Sequence, residues 1–427
     1  MYNYDGFIND LKNLISFKSV QDKATLGAPF GTENKRALEY FLSVAKRFGF
    51  ETINYDNYVG EVVFGNPFGQ EIGIIGHLDV VPVGDGWDFD PFTLTEKDGY
   101  FYGRGVSDDK AGTLMALYAL KELKDSGKAV NVKFRLFAGC NEESGWKDIE
   151  YLKTKTTLPE YGFSPDGDFP LSYAEKGMYE IKFTLPKLKN FSLLKGGTVV
   201  NAVCDYACCM ANENGIDLKL IKKHGLSLKN GNVIESFGKS AHGSHPDTGV
   251  NALKSLFNYF LDMGENVKSV VDYIMNDKSG IFALSNEQGN VTFSPDLLSE
   301  TENGVHITAD MRIPAPFGID TVKEKLDAFG IDYKVVMRHP PVMVEKDGWF
   351  VKTLLSSYSS VTGDNARPIS LSGSTFARAF DKGVAFGTIF PNSDATMHCA
   401  NEKMKKEELL SAYEIYKKAV FELADKI

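Results

Sequence analysis

The clearest pattern in the first part of the chain is a buried strand that ends in polar residues. Ile72–Val83, IGIIGHLDVVPV, opens with apolar residues and glycines without polar alternation, which is typical of a strand covered on both faces. Val130–Ala138 alternates and predicts a second strand, and the leucines of Thr113–Lys124 recur at helical spacing. Strands that alternate with helices predict an α/β architecture in which helices cover a central sheet.

Both ends of the chain share this alternation of predicted helices and strands. Ahead of the buried strand, helices are predicted over Asn9–Ser16 and Lys35–Phe48, and the residues 32–34 (Thr-Glu-Asn) offer side chains that could cap the second helix. The final part of the chain returns to a helix, a Gly-rich loop, a strand over Val384–Ile389 and a helix over Lys405–Ala424. The two ends therefore belong together in one α/β domain.

Between about residues 180 and 345 the pattern changes to many strands and few helices. Strands are predicted over Lys182–Leu185, Val200–Cys208, Asp217–Ile221, Asn232–Phe237, Gly304–Ile313 and Asp332–His339, and helices over Asn251–Met263 and Ile319–Phe329. We predict a catalytic domain of residues 1–180 and 345–427, with a mixed central sheet flanked by helices. An inserted α+β lid domain of residues 181–344, built from two similar halves, interrupts it.

Length, charge and cysteine content exclude several classes of protein. With 427 residues the chain exceeds one ordinary hydrophobic core, and a formal net charge of −10 gives no basic surface for nucleic acid. No apolar run approaches the ~20 residues of a membrane span, and acidic residues lie within the amino-terminal amphipathic pattern, unlike a signal peptide. The five cysteines lack CxxC spacing, which favours a reducing compartment. We expect a cytoplasmic protein without nucleic-acid or membrane partners.

Polar residues at the ends of predicted strands are the candidates for chemistry. His77 and Asp79 follow the first buried strand two residues apart, where the pleat sends both side chains to the same side. The carboxyl ends of strands are where open α/β sheets place their ligands. A core histidine that hydrogen-bonds a neighbouring carboxylate would explain this pair equally well.

Later loops carry four more acidic or imidazole groups, and each has an ordinary alternative. The alternatives are a helix N-cap, a solvated pair of acids, an Asx turn and a packed or surface histidine. The groups, in the same order, are Asp108 with Asp109, Glu142 with Glu143, Asp166, and His398.

Together these groups match the needs of a dinuclear hydrolytic site. Such a site takes two imidazoles, several carboxylates, one of them shared by both ions, and a free carboxylate as base. Asp79 and Glu142 remain for orienting and acid–base roles. Imidazoles with carboxylates favour two Zn²⁺ ions, although such a site also accepts Mn²⁺ or Co²⁺. The candidate ligands are His77, Asp108, Glu143, Asp166 and His398.

The chain also resembles a known family over nearly its whole length. The matching stretches, in the family's order, are GAPFG, GHLDVVPVGDGWDFDPF, YGRGVSDDKAG, NEESGW, FSPDGDFP, GKSAHGSHPDTGVNA, SGSTFAR and MHCANE. They are similar to those of the dinuclear-metal amidohydrolases, which include aminoacylases, succinyl-diaminopimelate desuccinylase, glutamate carboxypeptidases and dipeptidases. The strongest resemblance is to the PepV-type (Sapep-like) bacterial dipeptidases.

The resemblance implies a role for each candidate ligand. His77, Asp108 and Asp166 would hold one metal ion. Asp108, Glu143 and His398 would hold the other, so that Asp108 bridges the two ions.

The resemblance also implies roles for the remaining carboxylates. Asp79 would orient His77 and fix its tautomer. Glu142 would be the general base, which takes a proton from the water that bridges the metals and passes it to the leaving amine. Asp108 is preferred to Asp109 as the ligand because the related motif places the ligand two residues before the lysine. The family has a cis peptide bond after that aspartate.

Substrate contacts are implied for the inserted domain and for one loop outside it. His242 resembles the family histidine that stabilises the oxyanion, Arg312 the arginine that binds the substrate carboxylate, and Asn201 an asparagine near the substrate. Ser374 departs from the glycine usual in the family's loop. That loop, whose backbone amides can receive a carboxylate, consists of Gly373, Ser374 and Thr375.

The activity implied is that of a metal-dependent dipeptidase acting on short peptides with a free amino terminus. Asp166 is the type found in aminopeptidases and dipeptidases, whereas acylases and carboxypeptidases tend to have glutamate there. The alternatives are an N-acyl amino acid deacylase and a non-catalytic peptide- or metal-binding relative, which the presence of Glu142 disfavours. The insertion is long enough to hold both halves that dimeric relatives divide between subunits, so we expect a monomer in which His242 acts within its own chain.

Overall fold

The computed structural model describes residues 3–426, so residues 1, 2 and 427 of the predicted domain bounds lie outside it. The α-helices are α1 (Tyr4–Ser16), α2 (Thr32–Arg47), α3 (Lys110–Asp125), α4 (Lys147–Lys155), α5 (Leu218–Lys223), α6 (Ala252–Asp262), α7 (Ile319–Asp327), α8 (Trp349–Thr362) and α9 (Lys406–Leu423). Short 3₁₀-helices span Glu213–Gly215, Pro246–Thr248 and Phe376–Ala379, and a π-helix spans Val270–Met275.

The strands are numbered along the chain in the same way. They are β1 (Glu51–Tyr55), β2 (Val59–Gly65), β3 (Glu71–His77), β4 (Thr95–Lys97), β5 (Tyr100–Tyr102), β6 (Lys133–Gly139), β7 (Tyr161–Ser164), β8 (Ser172–Glu175), β9 (Gly177–Leu185), β10 (Phe191–Gly196), β11 (Tyr206–Ala211), β12 (Ser227–Lys229), β13 (Val233–Phe237), β14 (Ser285–Asn286), β15 (Gly289–Asn290), β16 (Thr292–Thr301), β17 (Gly304–Ile313), β18 (Asp332–His339), β19 (Val342–Met343), β20 (Ile369–Leu371), β21 (Lys382–Ala385) and β22 (Lys403–Lys405).

The chain folds into two compact units. The first unit comprises the residues up to Tyr173, the segment Val344–Leu371 and the residues from Thr375 onward. The second unit comprises Ala174–Met343 together with Ser372–Ser374. The first unit is therefore assembled from both ends of the chain.

The first unit is built on a mixed sheet with the strand order β1-β2-β6-β3-β7-β21-β8. Strand β3 pairs in parallel with both β6 and β7, and β7 pairs in parallel with β21. Strands β1, β2 and β8 pair antiparallel with their neighbours. The predicted mixed central sheet is therefore confirmed, and its inner strands are buried on both faces, which explains why β3 shows no polar alternation.

Glycines let other elements approach β3 closely on both faces. On one face, a Cβ at Gly76 would lie 2.0 Å from Thr113 Oγ1 of α3 and 2.3 Å from Asp109 Oδ2. On the other face, a Cβ at Gly73 would lie 2.3 Å from the ring of Phe380. Gly76 thus leaves room beneath the end of β3 for the loop that leads into α3.

The second unit contains an antiparallel sheet with the strand order β12-β13-β11-β10-β16-β17-β9-β18. One hydrophobic core gathers residues of these strands with α6, α7 and the π-helix, including Phe183, Phe257, Val270 and Leu326. None of the helices between residues 3 and 426 combines the length and the apolar character that a membrane span needs.

Two predicted strands of the second unit were wrong in whole or in part. Residues 217–221 lie in α5 and its cap, because Asp217 Oδ1 accepts hydrogen bonds from the backbone N–H groups of Lys219 (2.8 Å) and Leu220 (3.1 Å) and so starts a helix. The strand predicted from residue 200 begins only at Tyr206. Ahead of it, Asn201 has a φ of +76°, a left-handed conformation that interrupts an extended chain.

The predicted capping of α2 by residues 32–34 was also wrong. The helix already begins at Thr32, and Gly31 is its N-cap without a side-chain hydrogen bond. Asn34 lies inside the helix, where its Nδ2 donates to Phe30 O at 3.0 Å. A side chain within the first turn can therefore hold the preceding loop instead of the helix end.

Candidate metal centre

The sequence-predicted metal residues lie at the carboxyl ends of the parallel strands of the first unit. His77 is the last residue of β3, the adjacent glutamates Glu142 and Glu143 follow β6, Asp166 follows β7, and His398 lies in the loop after β21. Parallel strands end at the same edge of a sheet, so these loops converge on one place.

Asp108 lies at the middle of this group. Its Oδ1 is 2.9 Å from His77 Nε2, and its Oδ2 is 3.0 Å from His398 Nε2. Glu143 Oε1 is 3.1 Å from His398 Nε2, and Asp166 Oδ2 is 3.7 Å from His77 Nε2. Ligand atoms of His77, Asp108 and Glu143 lie within 4.8 Å of one another. Each oxygen of Asp108 therefore faces a different imidazole, with a further carboxylate beside each ring.

Asp79 joins the end of β3 to the loop after β6. Its Oδ1 and Oδ2 accept the backbone N–H groups of Glu142 and Glu143, each at 3.1 Å. Its backbone oxygen lies 3.0 Å from His77 Nδ1, whereas its Oδ1 lies 3.5 Å from the same nitrogen. The main-chain oxygen of Asp79 therefore contacts His77 more closely than its carboxylate does, and the carboxylate holds the two glutamates in place.

The hydrogen-bond chemistry of His77 tests whether these residues fit a metal ion. A carbonyl oxygen only accepts, so the bond to Asp79 requires a hydrogen on Nδ1. In the neutral ring, Nε2 then has a lone pair that points at an acceptor, Asp108 Oδ1. Two acceptors at this distance need a proton or a metal cation between them. Burial lowers the pKa of His77, but the hydrogen bonds to Asp108 and Asp79 outweigh it and raise that pKa well above its usual value. The donor set fits divalent ions such as Zn²⁺.

The pKa shifts of the site also indicate that its residues fit bound cations. Burial and the charge of Asp108 raise the pKa of Asp166 to about 8. Burial also raises the pKa of both Glu142 and Glu143. Burial lowers the pKa of His398, but hydrogen bonds to Asp108 and Glu143 outweigh it and raise that pKa to about 11. The pKa values of these three carboxyl groups rise because their negative charges are buried together, and bound cations would offset that repulsion.

Glu402, to which the sequence assigned no role, holds the loop that carries Asp108. Its Oε1 accepts backbone N–H groups of Gly105 (3.0 Å), Ser107 (2.9 Å) and Asp108 (3.2 Å), and its Oε2 accepts from Arg104 Nη1 at 2.7 Å. The Asp108–Asp109 peptide bond that ends this loop is cis, as the resemblance implied. The fully buried Glu402 thus fixes the main chain on which the central carboxylate is mounted.

Replacing Glu402 by glutamine is expected to lower the affinity for divalent metal about 10- to 100-fold, the usual effect of removing a group that positions a ligand. The amide has one oxygen, so its NH₂ group would face one of the N–H or guanidinium donors now bound by the carboxylate. Calorimetric titration of divalent metal into the chelator-treated protein measures the change in affinity. The matched control is Glu407→Gln, which is exposed on α9 and should bind metal as the wild type does. Equal affinities of the two variants would contradict the positioning role of Glu402.

A second missed residue, Asp148, holds the loop after β6. Its Oδ2 accepts the backbone N–H groups of Cys140 and Asn141, both at 2.8 Å, directly before Glu142 and Glu143. Burial raises the pKa of Asp148 to about 7. The only sequence signal was an acidic residue in the first turn of a helix, α4, which is common at helix starts.

Lys110 connects the loop of Asp108 to the first helix. Its Nζ is buried and donates to the backbone oxygens of Leu14 (2.9 Å) and Phe17 (2.8 Å) at the end of α1. The last carbonyls of a helix lack partners within the helix, and a cation there also suits the helix dipole. Burial lowers the pKa of Lys110 to about 7.

The residues predicted to contact substrate from the inserted domain lie together in the second unit. Gly243 N donates to Asn201 O at 2.6 Å, and Ala202 forms a β-bridge with His242. A Cβ at Gly243 would lie 2.6 Å from Asp310 Oδ2. Arg312 Nε donates to both oxygens of that aspartate at 2.9 Å.

The tautomer of His242 follows from its contacts. The backbone N–H of Ser244 donates to His242 Nδ1 at 3.2 Å, and Ser244 Oγ lies 2.6 Å from the same atom. An accepting Nδ1 requires the hydrogen of the neutral ring to be on Nε2. His242 is exposed, so this N–H is a donor at the surface of the second unit, as stabilising an oxyanion requires.

Two acids missed in the sequence support this group. Asp310 is the partner of Arg312, and Asp296 Oδ2 accepts the backbone N–H of Asn201 at 3.0 Å. Asp296 is the extra residue of a β-bulge in β16, where the register with β17 shifts between Pro295 and Leu297. Burial raises the pKa of Asp296 to about 7.

The predicted Gly-rich loop is divided between the two units. Gly373 and Ser374 belong to the second unit and Thr375 to the first. Thr375 Oγ1 accepts the backbone N–H of Ala377 at 3.2 Å and so caps the 3₁₀-helix that follows. Ser374 Oγ is buried without a hydrogen-bond partner among the described residues.

A family model and a bacterial relative match the chain over most of its length, and both are described as peptidases. The model of peptidase family M20/M25/M40 matches residues 73–422. A Staphylococcus aureus (strain MRSA252) protein named "Putative dipeptidase SAR1836" is 33% identical over 458 aligned positions, which cover 98% of this chain and 97% of that protein.

Solved structures show the same fold. Human carnosine dipeptidase 1 matches with a TM-score of 0.62 at 15% identity and covers 100% of this chain and 98% of its own. The di-peptidase Dug1p from Saccharomyces cerevisiae matches with a TM-score of 0.62 at 14% identity and covers 100% of this chain and 97% of its own.

Proposed function

Since the chain belongs to peptidase family M20/M25/M40, we propose that it is a metal-dependent dipeptidase that hydrolyses short peptides with a free amino terminus. The observation that supports this most directly is Asp108, whose two oxygens lie 2.9 Å and 3.0 Å from the imidazoles of His77 and His398. A carboxylate shared by two imidazole-containing sets is the arrangement that a pair of divalent ions requires.

In this proposal each residue at the strand ends has one task. His77, Asp108 and Asp166 hold one ion, and Asp108, Glu143 and His398 hold the other. Two Zn²⁺ ions suit these donors best, and Mn²⁺ or Co²⁺ are also accepted. When bound, the ions would polarise the scissile carbonyl and acidify the attacking water.

The remaining carboxylates do the acid–base and positioning work. Glu142 accepts a proton from the attacking water and donates it to the leaving amine. Asp79 holds the backbone of Glu142 and of its neighbour Glu143. It also contacts His77 Nδ1 through its main-chain oxygen, and that bond leaves Nε2 as the ligand atom.

The second unit supplies all of the proposed substrate contacts except Thr375, which belongs to the first unit. His242 donates from Nε2 to the oxyanion, Arg312 binds the substrate carboxylate with its planar fork, and Asn201 lies beside them. The backbone amides of Gly373, Ser374 and Thr375 receive the end of the substrate. A monomer in the cytoplasm is part of the proposal, and the five free cysteines are consistent with a reducing compartment.

The second candidate function, an N-acyl amino acid deacylase, uses the same metal site on a different substrate. Asp166 favours the dipeptidase, as aspartate is the residue type of dipeptidases at this position. The test is a panel of dipeptides and N-acetyl amino acids, assayed after chelation and readdition of single metals. We expect Ala-Leu to be hydrolysed at least about tenfold faster than N-acetyl-leucine, and only with metal restored. Faster turnover of the N-acetyl compound would instead support the deacylase.

A further inference from the structure

The second unit contains a cavity of about 760 Å³ to which the proposed function assigns no role. A volume of about 300–1,000 Å³ is typical of sites for small molecules. Its lining includes the apolar residues Phe282, Val291 and Phe293 and the polar residues Lys176, Gln288 and Thr292. The cavity therefore offers both polar and apolar groups to one ligand.

Gln288 has a donor group that its neighbours leave unused. The residue lies in the two-residue turn between β14 and β15 and is only 7% exposed. The backbone N–H of Ala315 donates to its Oε1 at 2.9 Å, which fixes the orientation of the amide. Its Nε2 has no hydrogen-bond partner among the described residues. A buried amide donor without an acceptor is costly, so an acceptor oxygen from a ligand would stabilise it.

Lys176 adds a positive charge beside the same hairpin. The residue is 5% exposed, and its Nζ donates to Asn290 O of β15 at 2.7 Å. Burial lowers the pKa of Lys176, and the charge of Arg312 lowers it further. An anion in the cavity would offset both effects.

Thr292 provides a third polar group in the lining of the cavity. Its Oγ1 is buried and has no hydrogen-bond partner among the described residues. A hydroxyl can donate to the same anion that Gln288 and Lys176 would contact.

The apolar residues of the lining suit an aliphatic or aromatic side chain. The rings of Phe282 and Phe293 stack with centroids 5.6 Å apart and an interplanar angle of 30°. Val291, only 2% exposed, lies between them in the chain. Aromatic walls of this kind bury apolar ligand surface.

We propose that this cavity binds an apolar amino-acid residue with a free carboxylate, the carboxylate at Lys176 and Gln288 and the side chain against Phe282 and Phe293. The choice of an amino acid or peptide as ligand rests on the proposed dipeptidase function, whose substrates and products have this chemistry. Ser244 lines the cavity and contacts His242 Nδ1. A residue bound here thus lies beside the proposed oxyanion group.

The test is calorimetric binding of L-leucine, L-leucinamide and glycine to the metal-loaded, full-length protein. We expect leucine to bind at least about tenfold more tightly than either of the others, since one lacks the carboxylate and the other the side chain. Gln288→Glu keeps an oxygen for the N–H of Ala315 but replaces the donor by an acceptor. It should weaken leucine binding at least about tenfold. The matched control Gln70→Glu, an exposed position, should leave the affinity unchanged.

Thr292→Val provides a second variant if Gln288→Glu folds poorly. Removing a buried hydroxyl without a partner should not lower the melting temperature, whereas leucine binding should weaken. Equal binding of leucine and leucinamide, or equal affinities of Gln288→Glu and Gln70→Glu, overturns the proposal. With Gln288→Glu unfolded, unchanged leucine affinity in Thr292→Val overturns it instead.

Hydrolysis of Ala-Leu by the same preparations separates this proposal from the proposed function. A wild-type protein that binds leucine selectively but hydrolyses no peptide refutes the dipeptidase and retains the cavity. Hydrolysis without selective leucine binding refutes the cavity alone. Leucine that competes with Ala-Leu identifies the ligand as the carboxyl-terminal residue of the substrate, and leucine that binds without competing identifies a separate amino-acid site. Both of these results support the assignment of the cavity.

Discussion

Replacing Glu142 by glutamine is expected to lower kcat for Ala-Leu hydrolysis about 10²- to 10⁴-fold, the range for loss of a general acid–base group. Glutamine keeps the size of the side chain, and the backbone N–H that bonds to Asp79 Oδ1 at 3.1 Å is untouched. The amide can neither take a proton from water nor return one to the leaving amine. Because Glu142 is not among the proposed ligands, the metal content should not change. Steady-state kinetics and elemental analysis of the same sample measure both quantities.

The adjacent glutamate supplies the contrast. Glu143 Oε1 lies 3.1 Å from His398 Nε2, so Glu143→Gln should lose metal as well as activity. Turnover by Glu142→Gln within tenfold of the wild type would show that another group carries the proton. Loss of metal from both variants would mean that the two glutamates share one role.

Replacing Asp108 by alanine is expected to reduce the metal content from about two ions per chain and to lower activity at least about 10³-fold, since polarisation of the carbonyl supplies several kcal/mol. No other carboxylate among the proposed ligands lies within 3.0 Å of both imidazoles. Elemental analysis after dialysis, together with the dipeptide assay, measures the effect.

The control for Asp108 is Asp98→Asn, an exposed position with a φ of +51° that asparagine tolerates. It should retain both ions and full activity. Circular dichroism of the alanine variant without metal should match that of the chelated wild type. An Asp108→Ala protein that keeps its metal would remove the central group from the proposal.

The sequence predicted long elements with a strong pattern well. The strands Gly304–Ile313 and Asp332–His339 have the predicted bounds, and the predicted helix 113–124 lies inside α3. In contrast, residues 217–221 form a helix, because one aspartate cap decides a short segment whose apolar spacing suits either structure. The strand predicted over 384–389 is β21, which ends at Ala385 and so begins the loop to His398 earlier than expected.

The residues of the candidate site also fall into those that the sequence could predict and those that it could not. Acids and histidines that follow buried strands could be found, because strand ends carry a sequence signal. Glu402, Asp148 and Asp296 could not, because their partners are mainly backbone N–H groups that any residue type provides. The role of Asp296 depends on a β-bulge, and a bulge is a property of two paired strands.

Through its hydrogen bonds, Lys110 also connects the amino-terminal helix α1 to the candidate metal centre. The family model begins at residue 73, yet the oxygens that receive this amine belong to Leu14 and Phe17. A protein trimmed to the matched span would lose both acceptors of this ammonium group, which lies two positions from Asp108, and a hydrogen bond to a charged group contributes about 1.5–3 kcal/mol. Shortened genes, or fusion tags that unwind the first helix, would therefore weaken metal binding through the loop that carries Asp108.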